Sequence, residues 1–217
     1  MLPEWFRRVL KPVISRLEFP QHPRPPQREL RNRGVFDSGG GLIGHVANVY
    51  VDDDRRFRFV QVAMSGFMGL GKKHHLVPVK ALVEVEPGSI TLGLDRRTIE
   101  SAPTLGELRA APDATVYARV ATMRVLEGQF DAMLRFIEEV ARPTAGRQEE
   151  FGGGFAMGDR SAKEIVTVSW WNSEESLQAS GRCEHFPEHP YLPAQFAISL
   201  AELPETEHYQ LDTLTLS

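Results

Sequence analysis

The sequence predicts two small domains in tandem, an all-β domain followed by an α+β domain, and three observations predict it. From Leu42 to Val51 and from Phe57 to Ala63 apolar residues tend to alternate with polar ones, the period of a half-buried strand. From Val116 onward the rhythm changes to strand, helix, two strands, helix, strand. Between them lies TLGELRAAPDA, Thr104 to Ala114, polar and containing Pro112. The expected organisation is a helix over 1–18, a Pro-rich linker over 19–32, a β domain over 33–103, a linker over 104–115 and an α+β domain over 116–217.

In the N-terminal arm Leu2, Trp5, Phe6, Val9, Leu10, Val13, Ile14 and Leu17 recur at three- and four-residue spacing, opposite Arg7, Arg8, Lys11 and Arg16. That spacing predicts an amphipathic helix, kinked at Pro12, packed on the barrel or on a second copy. A basic amphipathic stretch with Trp and Phe also suits peripheral contact with a membrane surface, which is the less favoured reading. Prolines 20, 23, 25 and 26 then make an extended spacer.

In the β domain Gly39-Gly40-Gly41 and Asp52-Asp53-Asp54 supply chain reversals between strands. The glycines lack both the GxGxxG-to-helix context and a Walker Lys-Ser/Thr pair, so a hairpin turn is expected rather than a phosphate loop. Asp37, Gly44, Val49-Tyr50-Val51-Asp52, Val77-Pro78-Val79 and the closing Ala102-Pro103 carry a resemblance over about a third of the chain. The segment resembles the PRC-barrel family, small all-β domains that serve mostly in binding and assembly. The resemblance implies a barrel that binds a protein partner.

In the C-terminal half VYARVATMRV reads as a strand, and Phe130, Met133, Leu134, Ile137, Val140 and Ala141 fall on one face of a helix that Pro143 should end. EEFGGGFAM and EIVTVSWWNS read as strands, SEESLQASGR as a helix capped by Asn172 or Ser173, and HYQLDTLTL as the last strand. This β-α-β-β-α-β order is the ferredoxin-like arrangement. The run from Val166 to Leu177, with Gly152-Gly153-Gly154-Phe155 before it, resembles the antibiotic-biosynthesis-monooxygenase family of dimeric α/β barrels. The resemblance implies a homodimer through the C-terminal domain, sheet against sheet, and a cavity between sheet and helices for a hydrophobic or aromatic small molecule. It nominates Val120, Met133, Phe136, Ile137, Phe155 and Trp171 as the cavity wall.

Haem-degrading members carry an Asn on the first strand and an axial His after the third. Here Arg119-Val120-Ala121-Thr122 has no Asn and residues 173–182 have no His, so no cofactor is expected. Cys183, His185 and His189 cluster in CEHFPEHP, but Pro187 and Pro190 break any helix that would make them converge on a metal, and a solvated loop is expected. His74 and His75 are adjacent on a strand and should point to opposite faces. No GxSxG elbow or singular carboxylate pair marks catalytic residues. Arg119 and Arg124 are candidates for anchoring an anionic ligand. Trp170 and Trp171 should face opposite sides of their strand.

Net charge is −4, yet it divides unevenly. Residues 1–33 hold eight Lys/Arg against three Asp/Glu, residues 34–103 eight of each, and residues 104–217 nine against eighteen. An acidic C-terminal half is a poor platform for nucleic acid. One cysteine, no apolar run of about 20 residues and no secretory leader pattern make the cytoplasm the expected location. The function expected is a non-catalytic two-domain binding or assembly protein. The alternative is a cofactor-independent monooxygenase acting on an aromatic substrate.

Overall fold

The computed structural model describes residues 14–17, 30–65, 72–108, 115–180 and 199–212. Its first element corrects the end of the helix expected over residues 1–18. Ile14–Leu17 is a strand, β1, paired in parallel with residues 208–211, while residues 1–13 lie outside the described residues, as does most of the expected linker. An apolar stripe at helical spacing is an equally good supply of apolar residues for a sheet edge, and here an edge with unpaired backbone groups was available.

The β domain is a six-stranded sheet of β2 (Gly34–Phe36), β3 (Leu42–Val51), β4 (Phe57–Ser65), β5 (Lys72–Pro78), β6 (Leu82–Glu86) and β7 (Ser89–Leu92), in the order β5-β4-β3-β2-β7-β6. All pairings are antiparallel except β2 with β7. The glycine run is the expected turn: the Asp37 carboxylate accepts from the amides of Gly39 and Gly41 at 3.0 and 2.7 Å, and Gly40 takes φ 78°. Gly44 has a different reason to be glycine, because a Cβ there would lie 2.2 Å from the Ala63 carbonyl oxygen of the neighbouring strand.

Two short helices follow. Asp95 caps α1 (Arg96–Ser101) by accepting from the Thr98 amide at 2.7 Å. Thr104 and Glu107 form a reciprocal capping box on α2 (Leu105–Leu108), with the Thr104 amide donating to Glu107 at 2.7 Å and the Glu107 amide to Thr104 Oγ1 at 3.2 Å. This helix occupies the first part of the stretch expected as a linker, and it buries Leu105 and Leu108. Residues 109–114 lie outside the described residues.

The C-terminal half runs β8 (Thr115–Arg124), α3 (Phe130–Phe136), α4 (Arg142–Ala145), β9 (Phe151–Asp159), β10 (Glu164–Trp171), α5 (Glu174–Ala179) and β11 (Glu205–Asp212). Its own four strands lie antiparallel in the order β11-β8-β10-β9, which is the ferredoxin-like sheet, and β1 extends it to five. A π-type turn, Ile137–Ala141, joins α3 to α4. It explains why Pro143 does not end the helix: the ladder is already shifted ahead of the residue that has no N–H to give, and Pro143 sits in the first turn of the next helical piece. Ser173, one of the two expected caps, accepts from the Ser176 amide at 3.1 Å.

Sheet periodicity sorts the C-terminal side chains onto two faces. Met123, Ala156 and Ile165 meet Phe130, Met133 and Ile137 on the helix side. Val116, Ala118, Val120, Phe155, Val168, Trp170, Tyr209 and Leu211 point the other way and join one continuous core with the β domain. The sheet face on which a second copy was expected is therefore covered by the barrel of the same chain. Phe59 sits at that seam, 5.4 Å from the ring centres of both Trp170 and Tyr209.

A polar chain borders the seam. Arg58 donates to Asp52 at 2.7 Å and to Glu207 at 2.7 Å, and Lys80 reaches Glu207 at 3.1 Å and the Thr122 hydroxyl at 2.7 Å. Burial pushes the Asp52 carboxyl up, but the Arg56 amide and the Arg58 guanidinium outweigh it and hold it below the usual carboxylate value. Among the described residues no helix is long and apolar enough to cross a membrane.

Candidate functional site on the helix side of the C-terminal sheet

The six residues nominated as a cavity wall do not share a face. Val120 and Phe155 lie in the seam with the barrel, whereas Met133 and Ile137 close over Met123 and Ile165 on the helix side, with Phe136 packed against them. Trp171 is also on the helix side, 2% exposed, edge-on to Phe151 with ring centres 5.0 Å apart. Trp170 faces the barrel, so the two tryptophans point to opposite sides as expected. The apolar groups thus serve packing, and the chemistry of this face lies between them.

That chemistry runs across the middle of the sheet. In the register His208 of β11 is the cross-strand partner of Arg119 on β8, and Ser169 of β10 is its partner on the other side. Direct antiparallel partners share a face, so the three form a row spanning two strand spacings, about 10 Å. Arg119 Nε donates to His208 Nε2 at 3.2 Å, and Nη2 donates to the Leu177 carbonyl of α5. The Trp171 indole donates to Ser169 Oγ at 3.0 Å.

Arg119 is partly buried, and among the described residues no carboxylate pairs with it. Burial lowers its pKa to about 10, so it keeps its charge at neutral pH. Burial, then the neighbouring guanidinium, lowers His208 to about 4 and keeps the imidazole neutral. Accepting at Nε2 places its proton on Nδ1. The row is therefore rich in donors: a cation, a neutral ring N–H and a hydroxyl whose oxygen is already accepting from Trp171.

Beside this row, between the start of β8 and the start of α5, lies a polar pocket of about 510 Å³ whose lining includes Tyr117, Asn172, Glu174, Glu175 and Gln178. Arg124, the other candidate anchor, is exposed and pairs with Glu202 at 3.1 Å. His74 and His75 separate as expected: His74 Nδ1 lies 2.9 Å from the Gln61 amide, while His75 is buried with Nδ1 donating to the Ala102 carbonyl at 3.1 Å. Cys183, His185 and His189 lie outside the described residues. Sequence reasoning named Arg119 but missed His208 and Ser169. The available signal was a polar residue on each strand that the β-β pairing order sets beside it.

Comparison with known proteins divides at the same place as the sheets. No curated protein sequence matches the chain. Solved structures resemble it over less than half its length. A putative antibiotic biosynthesis monooxygenase from Chloroflexus aurantiacus is 23% identical, covering 43% of this chain and 89% of its own, with a TM-score of 0.36. One from Bordetella bronchiseptica is 18% identical, with 43% and 93% covered and a TM-score of 0.36. A conserved protein from Methanosarcina mazei is 16% identical, with 44% and 91% covered and a TM-score of 0.37. The sequence profile of the PRC-barrel domain matches residues 26–95, about a third of the chain. With the six-stranded sheet it spans, that match identifies the N-terminal part as a PRC-barrel domain, joined here to a ferredoxin-like domain.

Proposed function

We propose that this chain is a non-catalytic binding protein whose PRC barrel and ferredoxin-like domain act as one unit. The barrel takes the sheet face that a second copy occupies in dimeric α/β barrels and binds a protein partner on its outward side. The helix side of the ferredoxin-like sheet holds a small ligand. The observation that carries this reading is the seat of Phe59 between Trp170 and Tyr209, which closes the apolar sheet face within one chain.

The oxygenase alternative needs a base to deprotonate an aromatic substrate. His208 is the neutral imidazole nearest the middle of the face, and its one lone pair already accepts from Arg119. Two measurements test the proposal. Light scattering of the full chain at tens of micromolar should give the mass of one copy, and a dimer would overturn the substitution of barrel for partner. Oxygen uptake with a panel of dihydroxyaromatic substrates should stay at background. Uptake that depends on the protein and disappears in His208→Ala would establish the oxygenase instead.

A further inference from the structure

We propose that the N-terminal arm, residues 1–13, docks as an added strand on the open edge of the barrel sheet, along β6. β6 is the last strand in the order β5-β4-β3-β2-β7-β6, and an edge strand presents a row of backbone groups with no ladder to join. At the other edge, His75 of β5 already pairs with Thr104 in an isolated bridge. On β6, Val83 and Val85 stand 65% and 53% exposed, beside the exposed Glu84 and Glu86. The glutamates and the bulge between Leu82 and Glu84 discourage unwanted pairing, but two uncovered valines on the same strand invite it. The Ser89 hydroxyl donates to Glu86 at 3.2 Å, and among the described residues neither carboxylate has a basic partner.

Charge selects the occupant. A second copy pairing edge to edge would set Glu84 and Glu86 against their own equivalents, which is unfavourable. The arm has the opposite sign, with Arg7, Arg8 and Lys11 against Glu4, and its run from Glu4 to Lys11 contains no proline. Strand alternation puts Arg7 and Lys11 on one face of that run, and Phe6 and Leu10, with Arg8 between them, on the other. It likewise puts Glu84 and Glu86 on one face of β6 and Val85 on the other. The two patterns are complementary, basic to acidic and apolar to apolar. The arm also begins within reach. Ile14 is the register partner of His208, Glu207 precedes His208, and Lys80, two residues before β6, bonds Glu207 at 3.1 Å. That path places Ile14 within about 25 Å of Lys80, whereas thirteen extended residues span about 45 Å. Because the arm comes in from the Leu82 end, it runs antiparallel to β6, with Lys11 near that end and Arg7 toward Glu86. So seated, it closes the edge from within the chain.

Hydrogen exchange of the full chain tests this, read at the β6 amides with the β4 amides as an internal reference. Arg7→Glu/Lys11→Glu should speed exchange over residues 82–86 at least about threefold, the factor expected when two surface ion pairs become repulsive, and should leave β4 unchanged. Glu84→Lys/Glu86→Lys should do the same. All four changes together should restore the protection of the natural chain, because the facing charges are again opposite. Should a reversed variant lose the β4 protection as well, a chain beginning at Val13 takes its place, with the same fast exchange expected over 82–86. The proposal is overturned by unchanged β6 exchange in the folded arm variant or by a fourfold variant that stays unprotected. Protection that grows with protein concentration would also overturn it, since the covering arm would then belong to a second copy. The readout is confined to β6, so its failure would leave the partner-binding reading of the barrel standing.

Discussion

Phe59 of the barrel and Tyr209 of the ferredoxin-like sheet meet edge to face, their ring centres 5.4 Å apart and their planes at 89°, across a seam that no short-range contact could build. Trp170 lies at the same distance on the other side of Phe59, and all three rings are buried. The barrel and the ferredoxin-like sheet should consequently unfold together. Phe59→Ala should cost about 3–5 kcal/mol, measured by chemical denaturation followed through tryptophan emission. Two separate transitions in the wild-type chain would show that the halves are energetically independent.

Arg58 and Glu207 stand 149 residues apart in sequence and 2.7 Å apart in space, each partly shielded from solvent. A double-mutant cycle with Arg58→Met and Glu207→Gln should return a coupling of about 1 kcal/mol, toward the upper end for a partly exposed pair. Half a molar salt should reduce it, because solvent still reaches the pair. No measurable coupling would leave the seam held by its apolar contacts alone.

Stability should fall as pH is lowered from 7. In the unfolded chain a histidine takes up its proton near pH 6.5. Burial lowers His75 below that value, against a smaller opposing effect of its bond to Ala102, and its Nε2 is buried without a hydrogen-bond partner among the described residues. Burial and Arg119 lower His208 to about 4. Below pH 6.5 the unfolded state therefore binds protons that the native state refuses, so stability is lost between about pH 6.5 and the lower native values. Melting temperatures measured from pH 7.5 to 4.5 should show that slope, and His75→Gln should reduce it. An unchanged slope in that variant would assign the effect elsewhere.

Gly44→Ala should be among the most damaging single changes in the barrel. Its new methyl would stand 2.2 Å from the Ala63 carbonyl oxygen, which belongs to a strand backbone that cannot turn aside. The cost should exceed about 3 kcal/mol, the range of severe overpacking. Gly40→Asn, at a left-handed position with open space around it, should cost well under half as much and serves as the comparison in the same thermal melt. Equal losses at the two sites would refute the steric account.

What the sequence determined by itself is local. Alternation in Leu42–Val51 and Glu164–Trp171 made strands, the spacing of Phe130, Met133 and Ile137 made a helical face, Asp37 with three glycines made a turn, and Ser173 made a cap. Each depends on dihedral preferences and hydrogen bonds within a few residues, which a single stretch of chain carries whole. Tertiary structure decided the rest. Ile14–Leu17 became a strand because β11 had an edge to fill, and Val120 and Phe155 turned toward the barrel because its core was there to cover them. Arg119 acquired its meaning only when strand pairing set Ser169 and His208 on either side of it. Such relationships join residues tens to well over a hundred positions apart, and their free energy comes from shared burial and charge. No local pattern encodes which distant surface will supply them.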